Sequence, residues 1–127
     1  MAHGSARIGR DKYRTEIEVG SHRLVSDENA TLGGANAGPA PYDLILAGLG
    51  ACTAITLRMY ADRKQWPLDS VEVRLKTVRD GDNLRIERTL IITGLDDAQK
   101  ARLADIAERT PVTLTLRNGI PIQTSLG

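Results

Sequence analysis

The sequence predicts an α+β domain, because segments with the two-residue period of strands alternate with segments that have the properties of helices. Apolar and polar residues alternate over residues 13–19 and again over residues 71–77. Between these stretches lies a long apolar segment after Pro41, and a typical helix start follows at Asp96. The length of 127 residues corresponds to a single domain, residues 1–127.

The first predicted elements are two strands within residues 12–26, which form a hairpin around the turn Gly20-Ser21. The next segment, residues 27–41, is rich in glycine and proline and is therefore predicted to be a loop. Flexible Gly33-Gly34 and rigid Pro39 suit a surface that shapes a pocket as well as a plain connection.

A central helix is predicted over residues 42–65. Pro41 suits its first turn, because the missing N–H has no partner there in any case. The first half of the segment is apolar on nearly every side, which is typical of a buried central helix, and the second half is charged. Its uncharged run, residues 44–57, is shorter than the ~17–25 residues of a membrane span. With no apolar leader at the start of the sequence, we expect a soluble, cytoplasmic protein with no membrane partner.

The second half of the chain reads as a hairpin followed by two helices and a strand. Turn residues 80–83 separate the two strands of a hairpin over residues 70–93. Asp96 and Gln99 form a capping-box pattern that opens a second helix over residues 96–109. Thr110-Pro111 predicts a short helix over residues 110–117, and the turn Asn118-Gly119 precedes a last strand at residues 120–124.

Composition excludes several classes of function. The net charge is +1 from 17 basic and 16 acidic residues. A nucleic-acid-binding protein usually shows a basic stripe with interspersed aromatic residues. This sequence has no such stripe, so nucleic-acid binding is not expected. A single cysteine rules out an internal disulfide and a cysteine-based zinc site. The two histidines, His3 and His22, are too few and too far apart to suggest a metal site, and no cofactor is expected.

The cysteine itself, Cys52, has two interpretations. It lies within the most apolar stretch of the sequence, where a free cysteine usually serves as a small buried hydrophobe. Alternatively, a cation supplied by another part of the fold makes the sulfur reactive. The residues alone leave both open.

Residues 33–68 read GG-x3-GP-x-PYDLILAGLGACTAITLRMYADRK-x-WPL. This stretch resembles the OsmC/organic hydroperoxide resistance family, in its OsmC-like branch, and the resemblance continues through residues 109–113. It implies an intertwined homodimer in which antiparallel sheets from both subunits wrap two central helices. It also implies active sites at the subunit interface and a peroxiredoxin-like, antioxidant role in oxidative stress. In that chemistry a cysteine pair reduces organic hydroperoxides and an external thiol reductant restores the enzyme.

The resemblance assigns roles to individual positions. Cys52 matches the peroxidatic cysteine on the central helix. The second cysteine precedes a Pro-Val pair, and here Thr110 holds that place. Threonine forms no disulfide, so Thr110 is interpreted as a helix cap in a protein whose oxidised Cys52 would be reduced by an external thiol.

Two further positions of the catalytic pattern are altered or ambiguous. The glutamate that orients the catalytic arginine is replaced by Tyr42, and Asp43 follows it. The arginine itself corresponds to Arg10, with Arg14 as the alternative. Together with Thr110, Tyr42 and Asp43 are the expected substrate-pocket residues.

These assignments leave two hypotheses for function. The first is a one-cysteine, thiol-dependent peroxidase that reduces organic hydroperoxides. The second is a non-peroxidatic homodimer that binds an apolar or electrophilic small molecule at its interface, because Thr110 and Tyr42 both depart from the catalytic pattern.

Overall fold

The computed structural model describes residues 2–127 and confirms the α+β class. It contains one three-stranded and one two-stranded antiparallel sheet together with three helices. The single domain over residues 1–127 stays a prediction, and the contacts divide the chain into two compact units, with the boundary between Ile45 and Leu46. The reason is that the two sheets share no strand, so each satisfies its ladder hydrogen bonds by itself.

The N-terminal unit is built on three strands, β1 (Gly4–Ile8), β2 (Thr15–Val19) and β3 (His22–Ser26), which pair in sequence order. Ile17 at the centre of β2 lies opposite Ala6 and Leu24. Strand β1 was not predicted, because the alternation in GSARI is short and includes one large apolar residue, Ile8. It is a strand only because β2 offers a free edge.

The loop that follows β3 is organised by one carboxylate. Asp27 is buried and accepts hydrogen bonds from four backbone N–H groups, those of Tyr13, Glu28, Ala35 and Ala37, at 2.8–3.2 Å. A single 3-10 turn, Ala30–Leu32, lies within this loop. The segment predicted as an irregular loop is therefore tied together by hydrogen bonds along most of its length.

Helix α1 (Pro41–Arg63) is the long central helix. At its start, the Asp43 carboxylate accepts a hydrogen bond from the backbone N–H of Ala40 at 3.0 Å, which satisfies one N–H near the helix N-terminus. It ends two residues before the predicted position, because Gln65 adopts a left-handed backbone conformation (φ 57°) that a helix does not continue through.

Only one stripe of α1 is buried, and its members are spaced four residues apart: Leu49, Thr53, Leu57 and Ala61. Other apolar side chains of the helix are exposed, among them Ile55 at 54% and Met59 at 61%. Among the residues described, α1 is the one helix long and apolar enough to cross a membrane. That finding rests on length and composition, which a core helix of a water-soluble protein shares. The expectation of no membrane partner stays a prediction.

The C-terminal unit completes the fold around the buried stripe of α1. Strands β4 (Ser70–Asp80) and β5 (Asn83–Thr93) form the hairpin at residues 70–93, with Asp80 opposite Asn83 at the turn. Helix α2 (Asp97–Ala107) begins with a capping box made by Asp96 and Gln99. The core joins α1, β5 and α2 through Leu57, Ala61, Leu68, Ile92, Leu103 and Ala107.

The last part of the chain differs from the prediction. Helix α3 (Pro111–Asn118) ends at Gly119, but residues 120–124 form no strand. The turn signal at Asn118-Gly119 is local, whereas a strand also needs a partner. Within residues 2–127 no strand pairs with this segment.

Candidate functional site

The single thiol of the chain lies beside the buried stripe of α1. Cys52 is a free cysteine and is half-buried, while the next residue, Thr53, is completely buried. Neighbouring positions on a helix point about 100° apart. The thiol therefore sits at the border between the packed face of α1 and its open apolar face.

A largely buried arginine on β5 reaches this turn of α1. Arg88 exposes only 12% of its side chain. Its Nη1 donates hydrogen bonds to the Thr53 hydroxyl at 3.0 Å and the Thr113 hydroxyl at 2.9 Å. Its Nη2 donates to the carbonyl oxygen of Ala107 at 2.9 Å. One guanidinium thus joins α1, the end of α2 and the first turn of α3.

The hydroxyl groups around Arg88 form a closed network. Thr53 donates to the carbonyl of Leu49 at 2.7 Å, and Thr113 donates to that of Ala107 at 3.2 Å. Because the Thr113 proton is used there, Thr110 is the donor in the 2.6 Å contact between the Thr110 and Thr113 hydroxyls. All the buried polar side-chain atoms of residues 2–127 have partners.

Thr110, the residue that the resemblance places at the position of a second cysteine, is completely buried and is the N-cap of α3. Its side-chain oxygen accepts from the backbone N–H of Thr113 at 3.4 Å. The structure confirms the prediction that Thr110 caps a helix. Through Thr113, it also belongs to the network of Arg88.

The charges that act on Arg88 include the thiol. Burial, the largest influence, lowers the pKa of Arg88, and Glu108 and Cys52 each raise it, while Arg117 lowers it. Arginine nevertheless stays protonated at physiological pH, because its ordinary pKa lies far above neutrality. Cys52 therefore lies within electrostatic range of a permanent cation.

The other predicted site residues belong to the N-terminal unit. Arg10 is exposed between β1 and β2, and Arg14 is exposed beside Glu16, 3.9 Å away. Tyr42 is 56% exposed. The Asp43 carboxylate accepts a hydrogen bond from the backbone N–H of Ala40 at the start of α1. Cys52 and Thr110 lie in the C-terminal unit. The approach of Arg10 or Arg14 to Cys52, and a pocket that includes Tyr42 and Asp43, stay predictions.

Sequence reasoning missed Arg88, although the pattern contained a signal. The inward positions of β5 are Ile86, Arg88, Leu90 and Ile92, so an arginine occupies the apolar side of the alternation. Thr53 similarly interrupts the apolar stripe of α1. A polar residue on the inner face of each element indicates that the two elements meet through a polar contact. Among residues 2–127, no cluster of three or more metal-ligating side chains is present.

Comparisons with known proteins agree with this architecture. A family model described as OsmC-like protein matches residues 33–125. An OsmC-like protein from Mycoplasma pneumoniae superposes with a TM-score of 0.78 at 19% identity, over 92% of this chain and 87% of that one. The organic hydroperoxide resistance protein OsmC from Legionella pneumophila gives 0.66 at 23% identity, over 92% and 89%.

A third solved structure, the organic hydroperoxide resistance protein OhrB of Bacillus subtilis, superposes with a TM-score of 0.63 at 24% identity, over 92% of this chain and 90% of that one. The comparison with curated proteins gave no match. The structural likenesses show the fold, and the family model covers Cys52, Arg88 and Thr110. The chain belongs to the OsmC-like protein family.

Proposed function

We propose that this protein is a one-cysteine, thiol-dependent peroxidase that reduces organic hydroperoxides, with Cys52 as the reacting group. The observation that carries the proposal is the position of the only thiol: half-buried on α1, inside the region that matches the OsmC-like family, and within range of a buried cation. Two of the similar structures are of organic hydroperoxide resistance proteins, which supports the choice of substrate class.

The first chemical step needs only Cys52 and the hydroperoxide. The thiolate sulfur attacks the terminal oxygen of R–O–OH, so that an S–O bond forms and the O–O bond breaks. Two electrons pass from sulfur to the peroxide. Cys52 becomes a sulfenic acid, and the departing alkoxide takes up a proton to give the alcohol R–OH.

The second half of the cycle needs an external thiol, since Cys52 is the only cysteine. A reductant thiol attacks the sulfenic sulfur, forms a mixed disulfide and releases water. A second reductant thiol then attacks the mixed disulfide, which frees Cys52 and gives an oxidised reductant. The proton and oxygen of Thr110 are already committed to Thr113, in keeping with a structural role there.

We also propose that the working form is a homodimer. The support is the open apolar surface of α1, where Ile55 and Met59 are exposed although the helix is long and apolar. A second subunit would cover this surface and form a pocket beside Cys52. Arg10 or Arg14 could then approach the thiol as predicted.

The alternative is a non-peroxidatic dimer that binds an apolar or electrophilic small molecule beside Cys52. The observation that favours it is the closed hydroxyl network at the buried Thr110, a position at which the resemblance implies a redox-active cysteine. In this case Cys52 would line the pocket, and the bound molecule would contact it without oxidising it.

The test is oxidation of reduced protein by one equivalent of cumene hydroperoxide, followed by trapping with a sulfenic-acid probe and mass spectrometry. We expect rapid labelling of Cys52, and none in Cys52→Ser. Steady-state turnover with glutathione or with a dithiol should vanish in the same variant.

Glutathione, oxidised under the same conditions, gives the reference rate of an ordinary thiol. Oxidation of Cys52 no faster than this reference would rule out the peroxidase. A thermal shift with an apolar or electrophilic ligand, without sulfenic-acid formation, would instead support the binding alternative.

A further inference from the structure

We propose that Arg88 is a positioning residue for Cys52, one that fixes the thiol-bearing turn of α1 and holds a positive charge beside it. The inference rests on the proposed function, in which Cys52 is the reacting group. It goes beyond that function because it assigns this role to a residue of the hairpin, whereas the predicted candidates Arg10 and Arg14 lie in the other unit.

The hydrogen bonds of Arg88 define the position of its charge. Both protons of Nη1 are used, on the hydroxyls of Thr53 and Thr113, and Nη2 donates to the carbonyl of Ala107. A planar group held at three points on three helices cannot swing away from α1. Since Thr53 directly follows Cys52, the guanidinium is anchored to the same turn as the thiol.

The surroundings of Arg88 favour its charged form despite burial. Ala107 is the last residue of α2, and the carbonyl groups at the end of a helix carry partial negative charge. The two threonine oxygens that face Arg88 act as acceptors. Lysine could supply the charge at this place, but its single ammonium lacks the fork that spans these acceptors.

Glu108 partly neutralises this charge. Its carboxylate lies 3.9 Å from Nη2 of Arg88 and is also paired with Arg117. The charged groups that act on Arg88 are therefore Glu108, Arg117 and Cys52 itself. Removal of the Glu108 charge would leave a more positive environment for the thiol, and removal of the Arg88 charge would do the reverse.

A purely structural role for Arg88 makes a different prediction. If the residue only joins α2 and α3 to α1, its loss lowers stability without changing how the reactivity of Cys52 depends on pH. The distinguishing measurement is the rate of alkylation of Cys52 by iodoacetamide between pH 5 and 10. Alkylation needs no hydroperoxide, so failure of the peroxidase proposal leaves this test intact.

The experiment compares Arg88→Met and Arg88→Lys with the unmodified chain. We expect the half-maximal rate of Arg88→Met at a higher pH and about tenfold slower alkylation at pH 7, the effect of losing one charge within electrostatic range of the thiol. Arg88→Lys should recover part of the rate. Arg85→Met is the matched control, because Arg85 is exposed on the outward side of the same strand. Arg85→Met should leave the dependence of the Cys52 alkylation rate on pH unchanged.

The variant Glu108→Gln provides an independent measurement, since Glu108 is exposed and its replacement leaves the core intact. We expect its profile to move to lower pH, opposite to that of Arg88→Met. An unchanged profile in Glu108→Gln, or in a folded Arg88→Met, would overturn the inference. If Arg88→Met does not fold, the Glu108→Gln result alone decides.

Discussion

At the scale of single residues, one buried and one largely buried charge organise the two units of this chain. Asp27 receives four backbone N–H groups in the N-terminal unit, and Arg88 donates to two hydroxyls and a carbonyl in the C-terminal unit. A charge leaves water without a large cost only when hydrogen bonds replace its hydration. Each of these residues consequently fixes the position of the groups that bind it.

Asp27 gives a prediction about stability and pH. Hydrogen bonds from the backbone, that of Ala37 first, hold the pKa of Asp27 below its ordinary value of 3.8. The folded state therefore gains stability from the ionised carboxylate, fully present above pH 3.8 and lost as the pH falls through the lower folded-state pKa. We expect Asp27→Asn to lower the melting temperature by several degrees at pH 7, because an amide cannot accept four N–H groups.

The measurement is the melting temperature of both proteins from pH 7 down to pH 2. The difference between them should be constant above pH 4 and should shrink below it, as the wild-type carboxyl takes up a proton. Asp11→Asn, at an exposed position in the same unit, is the control and should show little difference. A difference that persists unchanged at the lowest pH would contradict the role given to Asp27.

At the scale of elements, the sequence predicted those helices and strands whose pattern lies entirely within one short segment. The alternation in the hairpin, the capping box at Asp96 and the Thr110-Pro111 start all act within a few residues. Strand β1 and the absence of a strand at residues 120–124 depend instead on whether a partner edge is near. Asp27 was missed for the same reason, since three of its four donors come from distant segments, whereas Arg88 was missed although its inward place in β5 was a signal.

The loop after β3 gives the prediction at this scale. A Cβ atom added to Gly38 would overlap the carbonyl oxygen of Val25 on β3. Since backbone cannot yield as a side chain does, Gly38→Ala should destabilise the N-terminal unit by about 3 kcal/mol, the upper part of the range for overpacking. The measurement is hydrogen exchange of the Asp27 and Ala37 backbone amides, which should be faster in Gly38→Ala because the N-terminal unit is less stable.

Gly9→Ala provides the matched control, because a Cβ atom at Gly9 meets no atom within 4 Å. Its amide exchange should stay close to that of the wild type. Protection of the loop amides that survives unchanged in Gly38→Ala would mean that β3 and the loop do not pack as closely as the structure indicates.

At the scale of the whole molecule, the main feature is the exposed apolar face of α1, which is expected to be covered by a binding partner. A long apolar helix with one buried stripe leaves Ile55 and Met59 in contact with water, one turn apart on the same face. No pattern within a single chain could have distinguished a second subunit from a bilayer or a small ligand.

The predicted homodimer can be tested against a membrane as the partner that covers the exposed face of α1. We expect sedimentation equilibrium to give a mass near twice the 13.8 kDa of the chain, and Ile55→Glu to weaken association at least ~100-fold, because a carboxylate would be buried without a partner. Lys100→Glu, exposed on α2, should leave the mass unchanged. A wild-type monomer at micromolar concentration, or binding to lipid vesicles that Ile55→Glu abolishes, would contradict the dimer. In the latter case the open face of α1 would serve a membrane, and the proposed interface pocket beside Cys52 would lose its support.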